Sequence, residues 1–74
     1  MKIVGERLRR LRESMKLSQA KLAKQMGSTQ ASVNRYESDI SSPSPETFLW
    51  YADYFDVSLD YMLIPAHNVS QQPA

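Results

Sequence analysis

The chain has 74 residues, is 42% hydrophobic, carries a formal net charge of only +1 and contains no cysteine. This length allows one domain with a small core and leaves little room for an enzyme pocket, and the lack of cysteine excludes disulfides and thiolate metal sites and fits a reducing cytoplasm. No apolar run approaches a bilayer-spanning length and no signal-peptide pattern stands at the start, so a cytoplasmic protein with no membrane partner is expected.

The spacing predicts an all-α chain of five helices. The first runs from about Val4 to Met15, with Leu8, Leu11 and Met15 recurring at intervals of three and four among arginines. Ser18 is placed to cap the second, in which Leu22, Ala23 and Met26 form one apolar stripe. The small Ala23 permits a close helix crossing, and Gly27 supplies the residue that ends a helix in a left-handed conformation. Ser28 or Thr29 can cap the third helix, over about residues 29–37, where Thr29, Val33 and Tyr36 share one side and Gln30, Ala31, Asn34 and Arg35 fall on the other. A turn-rich segment from Ser38 to Ser44 follows. Ser44 before Pro45 and Glu46 is a strong start signal for the fourth helix, whose inner face is expected to be Phe48, Tyr51, Ala52 and Phe55. Asp56 and Val57 make a break, Ser58 caps a fifth helix in which Leu59 and Leu63 point inward, and Pro65 stops it. Residues 1–64 are thus expected to form the domain and 65–74 a flexible tail with little apolar surface. There is no internal repeat.

The outer face of the third helix carries chemistry suited to DNA. Glutamine can make paired donor and acceptor contacts to an adenine edge, arginine can do the same to guanine, and alanine can touch a thymine methyl. The same residues are unremarkable as solvated surface. The distinguishing feature is that cap, Leu-Ala pair, glycine turn, second cap, Val and Tyr all fall at helix-turn-helix offsets within residues 17–37. Base reading is therefore expected from Gln30, Ala31, Asn34 and Arg35.

Charge is distributed to match. All nine Lys and Arg lie in residues 1–36 against only Glu6 and Glu13, a net of +7, whereas residues 37–74 hold six acids and no Lys or Arg, a net of −6. A basic half that contains the reader suits a polyanion, and neutralising phosphates releases counterions. Lys21, Lys24 and Lys16 are the leading phosphate contacts, with Arg35 and Arg9 behind them. Gln19, at the start of its helix, can add hydrogen bonds to a phosphate where the helix dipole favours an anion.

The segments Arg7 to Arg12, Leu17 to Ala23, Val33 to Glu37 and Val57 to Leu63 together resemble the phage repressor and Cro family of helix-turn-helix domains, also called lambda-repressor-like, over nearly all of Val4 to Ile64. The resemblance implies a compact five-helix bundle that binds double-stranded operator DNA as a symmetric homodimer and regulates transcription, most simply as a repressor. On that likeness Gln19 contacts a phosphate and braces Gln30, the base-reading positions are Gln30, Ala31, Ser32 and Arg35, and Arg12 and Glu37 form a structural ion pair. The chain departs from the family in the loop after the third helix, where many relatives carry Lys or Arg and this chain has Asp39 and serines. Backbone N–H groups and the hydroxyls of Ser41, Ser42 and Ser44 are left to hold a phosphate there. Moderate affinity per monomer is expected, which raises the importance of dimerisation. Trp50, Tyr54, Leu59, Tyr61, Met62 and Ile64 are the dimer-interface candidates, weighed against simply capping the core. A twofold dimer implies an inverted repeat with half-sites about one helical turn apart.

Other functions fare worse. The single His67 lies in the tail and no glycine-rich phosphate loop occurs, so no enzyme and no cofactor are expected. Glu46, Asp53, Asp56 and Asp60 match no metal loop and suit helix caps and dipoles. Asn68-Val69-Ser70 spells a glycosylation acceptor, an accidental match without a secretion signal. The alternative is an antitoxin or other interaction module that binds a protein partner through the acidic C-terminal half.

Overall fold

The computed structural model describes residues 4–63. Within them the chain forms α1 (Val4–Ser14), α2 (Gln19–Met26), α3 (Gln30–Glu37), α4 (Pro45–Phe55) and α5 (Leu59–Leu63), with no strand among the described residues. The expectations for Ile64, for the tail at 65–74 and for His67 lie outside them.

Each helix from α2 to α5 starts where a hydroxyl can satisfy an otherwise unpaired amide. Ser18 Oγ accepts from the Lys21 N–H at 3.0 Å, Thr29 Oγ1 from Ser32 at 3.2 Å, Ser44 Oγ from Thr47 at 3.2 Å and Ser58 Oγ from Tyr61 at 3.2 Å. Thr29 rather than Ser28 therefore caps α3. Between α2 and α3, Gly27 takes φ 74°, and the amides of Gly27 and Ser28 close back on the Lys24 and Ala23 carbonyls. This left-handed closure makes the turn tight without strain.

The core consists of Leu8 and Leu11 from α1, Leu22 and Ala23 from α2, Val33 from α3, Tyr51 from α4 and Met62 from α5. Tyr36, Phe48, Ala52, Phe55 and Leu59 are half-buried against it, as is Leu17 in the turn after α1. Two sequence expectations fail at helix ends. Met15 is 49% exposed, because α1 stops at Ser14 and the chain turns through Lys16 at φ 58°. The Arg12 guanidinium draws in the Leu17 carbonyl at 2.7 Å, so Leu17 approaches the core in place of Met15. In α5, Leu63 is 40% exposed and Met62 is fully buried, because the inner side of this short helix runs through Met62.

α1 also crosses α3 at unusually close range. A Cβ on the buried Gly5 would lie 2.4 Å from the Glu37 carbonyl oxygen and 2.7 Å from Asp39 Oδ2. The Gly5 N–H donates to Asp39 Oδ1 at 3.1 Å, so an acid just past the end of α3 caps the start of α1 across 34 residues of chain.

Tyr51 is the largest fully buried side chain, and among the described residues its hydroxyl has no hydrogen-bond partner. Burial, reinforced by the Glu37 carboxylate and Tyr36, pushes its pKa up from 10.0. The fold thus favours the protonated phenol. The stability this contributes is complete below pH 10 and falls as pH rises further, by about 1.4 kcal/mol per pH unit. Tyr51→Phe removes both the unpaired hydroxyl and the titration. Urea unfolding should show the variant equal to or up to about 1 kcal/mol more stable than wild type at neutral pH. It should also show a flatter decline between about pH 10 and 11.5. An identical alkaline slope in the variant would assign the loss to another group.

Candidate nucleic-acid interface

α2 and α3 pack through Leu22, Ala23 and Val33, which turns the opposite side of α3 outward. Gln30, Ala31, Asn34 and Arg35 are exposed there, and together with Gln19 and Ile40 they line one open hollow. Ser32 is placed differently. It is half-buried, and its Oγ accepts from Thr29 Oγ1 at 3.1 Å, so its hydroxyl is engaged in the cap of its own helix.

Behind the hollow lies a connected polar network. Glu37 is 9% exposed, and its carboxylate accepts from Arg12 Nε at 2.7 Å and from a second guanidinium nitrogen at 3.0 Å. This fork ties α1 to the last residue of α3, as expected for the pair. The hydrogen bond to Glu37 raises the Arg12 pKa above its ordinary value, against the opposing effect of burial. Gln19 Nε2 donates to Glu37 Oε1 at 3.0 Å, and Asn34 Nδ2 donates to Gln19 Oε1 at 3.4 Å. The residue braced by Gln19 is therefore Asn34, not Gln30. Asn34 and Glu37 sit three residues apart on one face of α3, so both come within reach of the same glutamine.

The expected phosphate contacts Arg9, Lys16, Lys21 and Lys24 are all exposed. The loop after α3 offers less than expected. The amides of Ile40 and Ser41 both turn back to the Arg35 carbonyl, at 2.9 and 3.3 Å, and Ser44 Oγ is occupied at the start of α4. Of the loop serines, Ser42 is exposed and Ser41 half-buried. Ile40 is the feature that sequence reasoning missed. It is 70% exposed at the edge of the hollow, and the available signal was a lone aliphatic residue in a serine-rich turn.

Among the dimer-interface candidates, Trp50 and Tyr54 are half-buried and stacked, with ring centroids 4.6 Å apart and planes within 12°. Tyr61 is half-buried, its ring 5.1 Å beneath the Arg7 guanidinium, which also bonds to the Tyr61 carbonyl. Met62 has no exposed surface, so it belongs to the core and cannot face a partner in this fold. Leu49, 57% exposed, and Leu63 add apolar surface on α4 and α5 that was not anticipated. Among the described residues no helix is long and apolar enough to cross a membrane, and no cluster of His, Cys, Asp and Glu gathers as metal ligands.

A family model described as helix-turn-helix matches residues 8–62. Two curated proteins of Bacillus subtilis (strain 168) are similar to this chain. The uncharacterized HTH-type transcriptional regulator YobD is 36% identical over 58 residues, covering 78% of this chain and 52% of that protein. The uncharacterized HTH-type transcriptional regulator YqaE is 34% identical over 59 residues, covering 80% and 51%. The chain thus spans about half the length of these relatives. A crystal structure of the P22 c2 repressor protein in complex with a synthetic operator is similar at a TM-score of 0.78 and 30% identity, covering 86% of this chain and 97% of that one.

Proposed function

Because the chain belongs to the phage repressor and Cro type of helix-turn-helix family, whose members are DNA-binding transcription regulators and not enzymes, we propose that it binds operator DNA as a homodimer and represses transcription by occupying a promoter. The observation that carries this reading is the hollow on α3, where Gln30, Ala31, Asn34 and Arg35 stand exposed together on the outer face of a capped helix after a tight turn. Those side chains are the types that match base edges in the major groove, and the exposed Lys16, Lys21, Lys24 and Arg9 supply cations for the flanking phosphates. The solved repressor to which the chain is similar is itself bound to an operator, which supports the same docking mode. Apolar surface at Trp50, Tyr54, Leu59 and Tyr61 is the proposed seam between two copies. A twofold seam sets two recognition helices about 34 Å apart.

Selection of bound duplexes from a random pool, at two salt concentrations, tests the reading. An enriched inverted repeat with half-site centres about ten base pairs apart is the expected result. Enrichment of a single half-site would remove the dimer. No enrichment would shift weight to the protein-partner reading, which the exposed carboxylates of Glu46, Asp53, Asp56 and Asp60 favour.

On the selected operator, Arg35→Ala should cost about 1–3 kcal/mol and relax preference at one position of the half-site. Lys24→Ala should weaken all sequences alike and reduce the salt slope by about one. Binding isotherms over a salt series separate the two effects. The same sequence-independent loss in both variants would erase the division between readers and phosphate contacts.

A further inference from the structure

We infer that the buried Glu37, acting through Gln19, fixes which end of the Asn34 amide faces the DNA, and so makes Asn34 a reader of amino-bearing bases. The inference rests on the DNA-binding reading above and assigns a polarity to one of its contacts.

The reasoning follows donors and acceptors along the network. A carboxylate clamped by a guanidinium has only lone pairs to offer. Glu37 Oε1, already bonded to Arg12, meets Gln19 at 3.0 Å, so the end of the Gln19 amide that faces it must be the NH2 group. The carbonyl of Gln19 is then its other end. A carbonyl too has only lone pairs, so Asn34, 3.4 Å away, must turn its own NH2 toward it. Asn34 is left with Oδ1 pointing away from Gln19, on the wall of the hollow shared with Gln30, Ala31 and Arg35. An unbraced asparagine rotates between presenting an acceptor and presenting a donor. Here an acid buried beneath the surface and one intervening amide remove that choice.

Within the major groove each base pair offers one exocyclic amino group, on adenine or cytosine, and one keto group, on thymine or guanine. An outward Oδ1 accepts from the amino group and repels the keto oxygen. The base facing Asn34 on the contacted strand is therefore A or C in preference to G or T. Glu37 and Gln19 are positioning residues in this scheme, and base preference at one operator position is their readout.

The test measures affinities for four duplexes that differ at a single operator position, identified as the one where Asn34→Ala abolishes discrimination. The wild-type protein should prefer A or C over G or T on the order of tenfold. Gln19→Ala frees the Asn34 amide to rotate. It should lower affinity for all four duplexes through its own lost contact while the ratio falls to about two-fold. The double variant Arg12→Met, Glu37→Leu removes the acid together with the cation that clamps it, so no carboxylate orients the Gln19 amide. The Asn34 amide is again free to rotate, and the ratio should fall to about two-fold. Discrimination at the other half-site positions should survive in both variants, and circular dichroism verifies that each is folded. A wild-type preference for G or T, or an unchanged ratio in both folded variants, overturns the inference while leaving DNA binding intact. Absence of any base preference in the wild type overturns the DNA-reading proposal itself.

Discussion

Arg12→Ala should lower the unfolding free energy by about 3–5 kcal/mol, the typical cost of stranding one member of a buried ion pair. The Glu37 side chain is 2% exposed and that of Arg12 11%. Without the guanidinium, the carboxylate keeps only the Gln19 amide as a described donor, and water cannot reach it to compensate. The Leu17 carbonyl loses its donor as well, so the turn after α1 loosens together with the α1–α3 contact. A domain of this size holds on the order of 5 kcal/mol in total, and the variant should be largely unfolded at moderate temperature. Glu37→Ala should be milder, because a longer and more exposed cation can swing toward solvent and keep the Leu17 carbonyl. The double variant Arg12→Met, Glu37→Leu should recover most of the loss, since an apolar pair of similar volume avoids the desolvation cost. Urea midpoints for the four proteins check this order. If Arg12→Ala lost less than Glu37→Ala, the stranded acid would not be the source of the cost.

Gly5→Ala should destabilise by about 3 kcal/mol, the upper end for overpacking, although alanine is the better helix former by about 1 kcal/mol. The two effects have opposite signs, and geometry decides between them. The added methyl would stand 2.4 Å from a backbone carbonyl oxygen, which has no rotamer with which to yield. α1 would have to lift from α3, stretching the Gly5 to Asp39 hydrogen bond and the Arg12 to Glu37 fork together. Thermal melts of the variant should show a clearly lowered midpoint. A raised midpoint would mean that the helices have room to part at little cost.

The features legible in the sequence are those decided within four or five residues. Ser18, Thr29, Ser44 and Ser58 announce helix starts because a hydroxyl reaches an amide three residues on, and Gly27 announces a turn because its φ is open only to glycine at little cost. The core positions Leu8, Leu22, Val33 and Tyr51 follow from periodicity for the same local reason. Contacts between distant segments were not legible from spacing. The Arg12 to Glu37 pair, 25 residues apart, was expected only through family resemblance. The partner of Gln19 came out differently because a carboxylate outcompetes a neutral amide for its donor, and this depends on how α2 and the end of α3 meet. The role of Asp39 was hidden in the same way. In the sequence its charge only weakens a phosphate grip, whereas in the fold it caps α1. Met62 and Leu63 exchanged roles because a five-residue helix offers too few positions for periodicity to choose a face.

The burial of the Glu37 fork has a consequence for the ionic environment. Mobile ions screen charges that water can surround, and they act far less on a pair sealed between two helices. Attraction between exposed lysines and a nucleic acid weakens steeply over the same range of salt. The two electrostatic systems in this small domain are thus decoupled. A rise in ionic strength should therefore weaken the hold on DNA while leaving the domain folded, and a fall should restore it without a refolding step.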